Sequence, residues 1–217
     1  MLRKLIICPY FGTLPDYFPQ WYENAHSLRE HGYDFLLDSD LDGFNRRVHE
    51  RLGATSPITE GSSKIHDYRC TFGVLYADEL AAYDFWGHTD FDCVYGRVNR
   101  FWPDALLTNV DLLADHSYVC GPWSLYRNHP TVNELFQRHP DWLGILEGER
   151  VTGWVETGYT DLVRESGIRV EFTSEHAYEV GDLKRLRWDG GRLLVGAREV
   201  PMAHFRRTKE WPAGLAA

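Results

Sequence analysis

The N-terminal segment, residues 5–37, alternates strand and helix patterns, and this feature restricts the possible folds more than any other. Residues 5–8 form a short apolar run that is typical of a β-strand. Residues 19–31 carry apolar side chains at roughly helical spacing, and Gly32 follows as a stop signal. Residues 33–37 have the composition of a second strand. Strand, helix and strand over this length predict two parallel strands joined by a right-handed crossover.

The remainder of the chain continues this alternation. The patterns predict a buried strand ahead of Asp90, strands at 116–125, 168–172 and 200–205, and helices at 43–52, 72–82, 106–113, 131–138 and 158–166. Thr131 is the expected cap of the 131–138 helix. Asp189, Gly190 and Gly191 between two apolar runs are a strong hairpin signal. We therefore expect one α/β domain over residues 1–217, a mixed sheet flanked by helices with a β-hairpin near its C-terminus.

The net charge of the chain limits its partners. A charge of -9 argues against a nucleic-acid-binding protein, which normally presents a basic surface. An acidic protein can still bind a nucleotide if a metal ion and a local cluster of cations supply positive charge. Arg206, Arg207 and Lys209 form such a cluster near the C-terminus. The alternative interpretation of these three residues is a disordered basic tail.

The cysteines and the apolar runs bear on localisation. Cys8, Cys70, Cys93 and Cys120 show no paired spacing, so we interpret them as reduced, buried thiols of a cytoplasmic protein. No segment has the length of a transmembrane helix, and the apolar run near the N-terminus is too short for a signal peptide. Peripheral attachment to the inner face of the membrane stays open.

Two carboxylates follow the aromatic run at residues 83–89. Asp90 and Asp92 lie one residue apart, directly after side chains typical of a buried strand. Burying two such charges together is costly unless a cation lies between them. Mg²⁺ and Mn²⁺ prefer oxygen ligands and commonly share their coordination sphere with substrate phosphates. The pattern predicts a phosphate-bearing substrate held through a metal, whereas a solvated turn is the alternative.

Further candidate groups lie at other predicted strand ends. Ligands of open α/β sheets bind beyond the carboxyl ends of the strands, where residues 9–12, 38–40 and 90–92 are all expected. His204 ends the last predicted strand and is a candidate third metal ligand beside the basic cluster, or else a structural histidine. Glu156 and Asp161 are candidates for a base or for orienting an acceptor hydroxyl, although Asp161 fits equally well on an exposed helix face. The motifs of serine hydrolases, P-loops and dinucleotide folds are absent.

Several of these motifs occur in the order seen in a bacterial group of GT-A-type glycosyltransferases, which the chain resembles over nearly its whole length. The matching segments are residues 7–12, 64–67, 83–92, 125–128 and 204–205. The resemblance implies a Rossmann-like GT-A domain that uses a nucleotide-sugar and Mn²⁺ or Mg²⁺. It further implies that Asp90 and Asp92 form the Asp-x-Asp motif of that group. The residues that it implies face the nucleotide are Pro9, Tyr10, Phe11, Gly12, Lys64 and Asp67.

The C-terminal end is also similar to that of glycogenin-like retaining transferases. The ending from His204 to Trp211 resembles the pattern His-x-x-Gly-x-x-Lys-Pro-Trp of that group, with His204 and Lys209 at the places of its His and Lys. This chain is one residue shorter there, lacks the glycine, and has Glu210 where proline stands. Donor contacts of Arg206 and Lys209 are expected from their charge, because such cations neutralise phosphate oxygens.

The function predicted from the sequence is transfer of a sugar from a nucleotide-sugar to an acceptor. The first candidate for the donor is a UDP-sugar, and the acceptor is a glycan, a natural product or a peptide. Retention of the anomeric configuration is favoured over inversion because the sequence offers no unambiguous base. A metal-dependent phosphohydrolase or nucleotidyltransferase is the alternative enzyme class, because paired aspartates serve both. A nucleotide-sugar-binding protein without catalysis is the third interpretation.

Overall fold

The computed structural model describes residues 1–119, 121–174, 185–205, 210–212 and 215. Its strands are β1 (Lys4–Pro9), β2 (Tyr33–Asp38), β3 (Phe85–Thr89), β4 (Cys93–Tyr95), β5 (Leu112–Ala114), β6 (Trp123–Arg127), β7 (Val170–Phe172), β8 (Leu186–Asp189), β9 (Arg192–Val195), β10 (Arg198–Glu199) and β11 (Met202–His204). Its α-helices are α1 (Phe18–His26), α2 (Leu41–Leu52), α3 (Phe72–Leu75), α4 (Val98–Phe101), α5 (Asp104–Leu107), α6 (Pro130–Asn133), α7 (Trp142–Glu147) and α8 (Gly158–Glu165).

Six strands form the main sheet in the order β2-β1-β3-β6-β5-β7. Strand β1 runs parallel to both β2 and β3, whereas β6 is antiparallel to β3 and β5. The predicted mixed α/β sheet flanked by helices is thereby confirmed. Within the described residues, no helix is both long enough and apolar enough to cross a bilayer.

The predicted strand–helix–strand unit is present at the N-terminus. Helix α1 buries Trp21 and Ala25 against the sheet, and a 3-10 helix, Ser27–His31, continues it. Gly32 then adopts a φ of 80°, and its backbone lies so close to the Leu2 carbonyl that a Cβ would be 2.4 Å from that oxygen. A side chain at this position would therefore prevent the turn into β2.

The two faces of the main sheet are both buried, each against its own hydrophobic cluster. Leu5 and Ile7 of β1 belong to one cluster, whereas Ile6 and Cys8 belong to the other, as the two-residue period of a strand requires. Trp86 of β3 is fully buried and stacks on Tyr126 of β6 with ring centroids 4.0 Å apart. Residues of α2 belong to the first cluster and residues of α1 to the second, so helices cover both faces of the sheet. Because both faces are covered, its strands are apolar over nearly their whole length.

The C-terminal part forms two small sheets beside the main one. Strands β8 and β9 form the predicted hairpin, with Gly190 and Gly191 at φ angles of 55° and 78° in its turn. Strand β10 pairs with β9, and β11 pairs separately with β4. Gly96 lies where these sheets meet, because a Cβ on it would be 2.7 Å from Leu193 Cβ. A glycine at this position is thus needed for the close packing of the two sheets.

Four predicted elements differ from the structure. The helix predicted at 106–113 is wrong, because α5 ends at Leu107 and residues 112–114 become β5 between β6 and β7. The strand predicted at 116–125 begins only at Trp123. Helix 72–82 is split into α3 and a 3-10 helix, Glu79–Ala82. Helix 131–138 is likewise split, and the His129 ring accepts the Thr131 N–H, so Thr131 is not the cap.

Candidate functional site

A cavity of about 500 Å³ opens beyond the carboxyl ends of β1 and β3. Its wall includes Pro9, Tyr10 and Phe11 after β1 and both Asp90 and Asp92 after β3. The strand order brings these two ends together because β1 and β3 are parallel neighbours in the sheet. This is the location at which open α/β sheets bind their ligands.

The two aspartates lie in the turn that joins β3 to β4. Thr89 at the end of β3 anchors this turn, since its hydroxyl lies 2.6 Å from the Tyr95 hydroxyl and donates to the Pro122 carbonyl over 2.9 Å. The carboxyl side chains of Asp90 and Asp92 are 23% and 17% exposed. They are therefore accessible from the cavity while most of their surface is withdrawn from water.

Strand β11 brings His204 to these aspartates from the far end of the chain. In the antiparallel β4–β11 pair, His204 lies opposite Cys93, and the Phe205 N–H donates to the Asp92 carbonyl over 2.7 Å. The His204 Nε2 atom is 2.9 Å from Asp92 Oδ1 and 3.9 Å from Asp90 Oδ2. His204 therefore lies within hydrogen-bonding distance of Asp92 and beside Asp90.

Arg69 lines the cavity, and no role was predicted for it from the sequence. Its guanidinium forms an ion pair with Asp90, and Gly121 leaves the space for it, because a Cβ there would lie 2.1 Å from Arg69 Nη1. Burial raises the pKa of Asp90, but Arg69 and the neighbouring histidines lower it more, so this pKa lies below its usual range. Asp90 is consequently ionised at neutral pH.

Two histidines near Arg69 are neutral at neutral pH. Arg69 and burial lower the pKa of His66, which lines the cavity, to about 4. Burial and Arg69 lower the pKa of His88 to about 3, and its ring lies 3.1 Å from the Gly121 carbonyl. Neither imidazole therefore adds a positive charge beside the carboxylates.

The side chains present at this site fit a divalent cation. His204 Nε2 lies 2.9 Å from Asp92 Oδ1 and 3.9 Å from Asp90 Oδ2, so one imidazole nitrogen adjoins two carboxylates. Carboxylates suit Mg²⁺ and Mn²⁺, and an imidazole is a common additional ligand of a transition metal. Among the described residues, Asp92, Cys93 and His204 form a group of potential ligands whose atoms all lie within 4.8 Å of one another. A thiolate is a soft ligand that suits zinc, whereas Mg²⁺ and Mn²⁺ prefer the oxygen ligands of the carboxylates.

The segment after β1 forms one lip of the cavity. The Tyr10 ring packs 5.0 Å from the Phe91 ring, which belongs to the aspartate turn. The Gly61 N–H donates to the Phe11 carbonyl over 2.6 Å, and Gly12 packs beside Gly61. Residues after β1, after β3 and around Gly61 thus form a continuous edge. Gly12 adjoins the cavity wall but does not line it.

Lys64 and Asp67 do not face the cavity, contrary to the expectation that they contact a nucleotide. Both are buried on the opposite side of a 3-10 helix, Ser63–Thr71, where they pair with each other. The helix instead presents Ile65, His66 and Arg69 to the cavity. The orientation of this helix decides which side chains reach the site, and sequence spacing did not reveal it.

The acidic residues after β2 also lie elsewhere. Asp38 accepts a hydrogen bond from the Tyr76 hydroxyl over 2.7 Å, and Asp40 caps α2 through the Gly43 N–H. Neither residue lines the cavity. Both therefore have structural partners and do not belong to the candidate site.

The two candidate bases are placed differently. Glu156 lines the cavity, whereas Asp161 is exposed on α8, outside the cavity, with its carboxylate 3.0 Å from Arg164. Asp161 therefore cannot reach a substrate that is bound beside Asp90. The predicted donor contacts Arg206 and Lys209, together with Arg207, lie outside the described residues.

The sheet order and its flanking helices define an α/β protein of glycosyltransferase-like fold. A crystal structure of a glycosyltransferase involved in the glycosylation of the major capsid of PBCV-1 is similar, with a TM-score of 0.55 at 12% identity over 95% of each chain. Residues 6–187 match a family of unknown function, DUF6625, and the chain belongs to that family. A197 from STIV also matches, at 14% identity and a TM-score of 0.38 over 94% of this chain and 95% of that one. No curated protein matches the sequence significantly.

Proposed function

We propose that this chain is a metal-dependent glycosyltransferase that moves a sugar from a nucleotide-sugar to an acceptor hydroxyl. The first candidate for the donor is a UDP-sugar. The observation that carries the proposal is the convergence of Asp90, Asp92 and His204 at the edge of the cavity. The glycosyltransferase with the similar fold supports the same class of reaction. The acceptor class, a glycan, a natural product or a peptide, is left open by these observations.

The charges of the site suit a diphosphate leaving group. Asp90, Asp92 and His204 would hold Mn²⁺ or Mg²⁺, and Arg69 adds a cation at the wall of the cavity. The bound metal would supply positive charge to the phosphate oxygens. Breaking the anomeric bond leaves additional negative charge on the nucleoside diphosphate, so fixed cations stabilise the transition state more than the bound donor.

The aromatic lip after β1 is the proposed position of the nucleoside. Tyr10 and Phe11 line the cavity, and Tyr10 packs on Phe91, so this edge offers ring faces beside the metal-binding carboxylates. A nucleobase stacks on such faces because both surfaces are flat and apolar. The nucleoside at this edge leaves the remainder of the cavity for the sugar and the acceptor.

Retention of the anomeric configuration is the proposed stereochemistry. Inversion needs a carboxylate that removes the proton from the acceptor hydroxyl. Apart from Asp90 and Asp92, Glu156 is the sole carboxylate among the described residues that line the cavity, and its side chain is exposed. Proton NMR of the anomeric position in the first product decides between the two outcomes, and an inverted linkage contradicts retention.

The decisive assay for the reaction class is turnover of UDP-sugars with Mn²⁺ and a panel of acceptors. The expected result is UDP release that depends on acceptor and metal, with sugar recovered on the acceptor. UDP release that is equally fast in water alone would indicate a phosphohydrolase instead. Release of UMP with a sugar phosphate would likewise indicate phosphodiester cleavage. Tight donor binding without any transfer would indicate a binding protein.

A further inference from the structure

A fully buried ion pair lies directly behind the cavity wall. Lys64 Nζ is 2.9 Å from Asp67 Oδ2, and the two side chains are 1% and 0% exposed. Such a pair is costly to bury unless the remaining donors and acceptors of both groups are satisfied. The partners of this pair therefore indicate what it holds in place.

All of these further partners belong to residues 145–154. The Lys64 ammonium donates to the carbonyls of Ile145 and Arg150 over 2.6 and 2.9 Å. Asp67 accepts the N–H groups of Thr152 and Gly153 over 2.9 and 3.0 Å, one on each carboxylate oxygen. Residues 148–153 belong to no helix or strand, so these bonds replace the backbone pairing that regular structure would give.

The segment held in this way leads directly to Glu156. The Trp154 indole donates to the Asp67 carbonyl over 2.7 Å, which fixes the residue after Gly153 as well. The Glu156 N–H then donates to the Gly153 carbonyl over 3.1 Å in a tight turn. The position of Glu156 in the cavity wall therefore follows from the residues that Asp67 holds.

The opposite face of the same 3-10 helix carries the cavity residues His66 and Arg69. We propose that Lys64 and Asp67 are positioning residues, whose buried pair fixes residues 150–156 relative to Arg69 and Asp90 and so sets the position of Glu156 in the acceptor side of the cavity. Only the assignment of Glu156 to an acceptor side rests on the proposed function. The mechanical part of the proposal depends on the contacts alone.

Hydrogen exchange tests the mechanical part without any substrate. In Asp67→Asn, which keeps the size of the side chain, the amides of Thr152 and Gly153 should exchange at least tenfold faster than in the parent. Lys64→Met should have the same effect, and it serves if Asp67→Asn does not fold. Tyr68→Phe is the matched control, because it removes a buried hydrogen bond of the same helix, to the Leu146 carbonyl, without touching residues 152–154. Parental exchange in a folded pair variant, or equal acceleration in Tyr68→Phe, overturns the proposal.

A double-mutant cycle tests whether the pair acts through Glu156. The rate measured is UDP release from a UDP-sugar with Mn²⁺ in the parent, Asp67→Asn, Glu156→Gln and the double variant. Because Glu156 would orient the acceptor hydroxyl, we expect each single variant to lose at least tenfold in this rate. The double variant should be within about twofold of the less active single variant. A double variant in which the two losses multiply, or a Glu156→Gln protein with parental turnover, overturns the assignment. A parent without turnover contradicts the proposed function, and the exchange measurement then decides on the pair alone.

Discussion

At the scale of single residues, the site depends on the space that Gly121 leaves beside Arg69. The guanidinium passes so close to this glycine that a Cβ would be 2.1 Å from Nη1 and 3.6 Å from Asp90 Oδ2. The same arginine is a cause of the lowered pKa of Asp90 and of His66. One small residue therefore permits the contact that gives the site its distribution of charge.

Replacing Gly121 with alanine should displace the Arg69 guanidinium and leave the fold intact. Because a displaced cation no longer faces the diphosphate, we expect the affinity for UDP in the presence of Mn²⁺ to fall about tenfold, which corresponds to about 1.4 kcal/mol. Gly158→Ala is the control, since its Cβ would meet only ordinary contacts, at 3.5 Å from the His139 ring. Equal UDP affinity in Gly121→Ala and the parent would show that Arg69 does not contribute.

At the scale of elements, Asp111 connects three strands of the main sheet. Its carboxylate accepts hydrogen bonds from Arg169, which precedes β7, and from Arg127 at the end of β6. Its backbone carbonyl also accepts the Arg127 N–H over 2.7 Å, directly before β5 begins. The pKa of Asp111 lies well below its usual range. The hydrogen bonds from Arg169 lower it most, and the hydrogen bond from Arg127 lowers it further.

The stability that Asp111 provides should depend on pH. A carboxylate whose pKa is lowered in the folded state stabilises the protein above the pKa of the unfolded chain, about 4, and loses this effect as the pH falls toward the folded-state value. Asp111→Asn should therefore lower the melting temperature by a few degrees at pH 7, and the difference should narrow steadily below about pH 4. Calorimetry of both proteins over this range is the measurement, with Asp161→Asn as the exposed control. A difference that stays constant on acidification would contradict this account.

The elements that could be predicted from the sequence are those whose signals are local. The β1–α1–β2 unit and the β8–β9 hairpin were correct because each follows from its own apolar spacing and turn glycines. Strand β5 was not, because its leucine-rich sequence also fits a helix and only pairing with β6 and β7 makes it a strand. Such pairing joins residues that are distant in sequence and leaves no local pattern.

The candidate site shows the same division. The position of Asp90 and Asp92 at the cavity could be predicted, because two carboxylates directly after a buried run are a local signal. The position of His204 at the cavity could also be predicted, because His204 ends a predicted strand beside a basic cluster. Arg69 and His66 were missed, and Lys64 and Asp67 were misplaced, because the rotation of one 3-10 helix decides which of them face the cavity.

At the scale of the whole molecule, the acidic net charge of -9 makes binding of an anionic nucleotide dependent on cations. We therefore expect UDP alone to change the thermal stability little, and UDP with Mn²⁺ to raise it. At a ligand concentration of 100 times Kd the stabilisation is about 2.7 kcal/mol, or roughly 5–10 °C for a chain of this size. Thermal denaturation with UDP, Mn²⁺, both or neither is the measurement. An equal rise with UDP alone would contradict a metal-dependent site.

The most direct test of the central claim is a calorimetric titration of UDP in the presence of Mn²⁺ into the parent and into Asp92→Asn. The substitution keeps the shape of the side chain and removes one negative charge from the proposed metal site. Asp161→Asn is the matched control, because it makes the same change on α8 outside the cavity. The account predicts that the parent and Asp161→Asn bind UDP only with Mn²⁺ and that the folded Asp92→Asn protein loses this binding. Parental affinity in Asp92→Asn would contradict it.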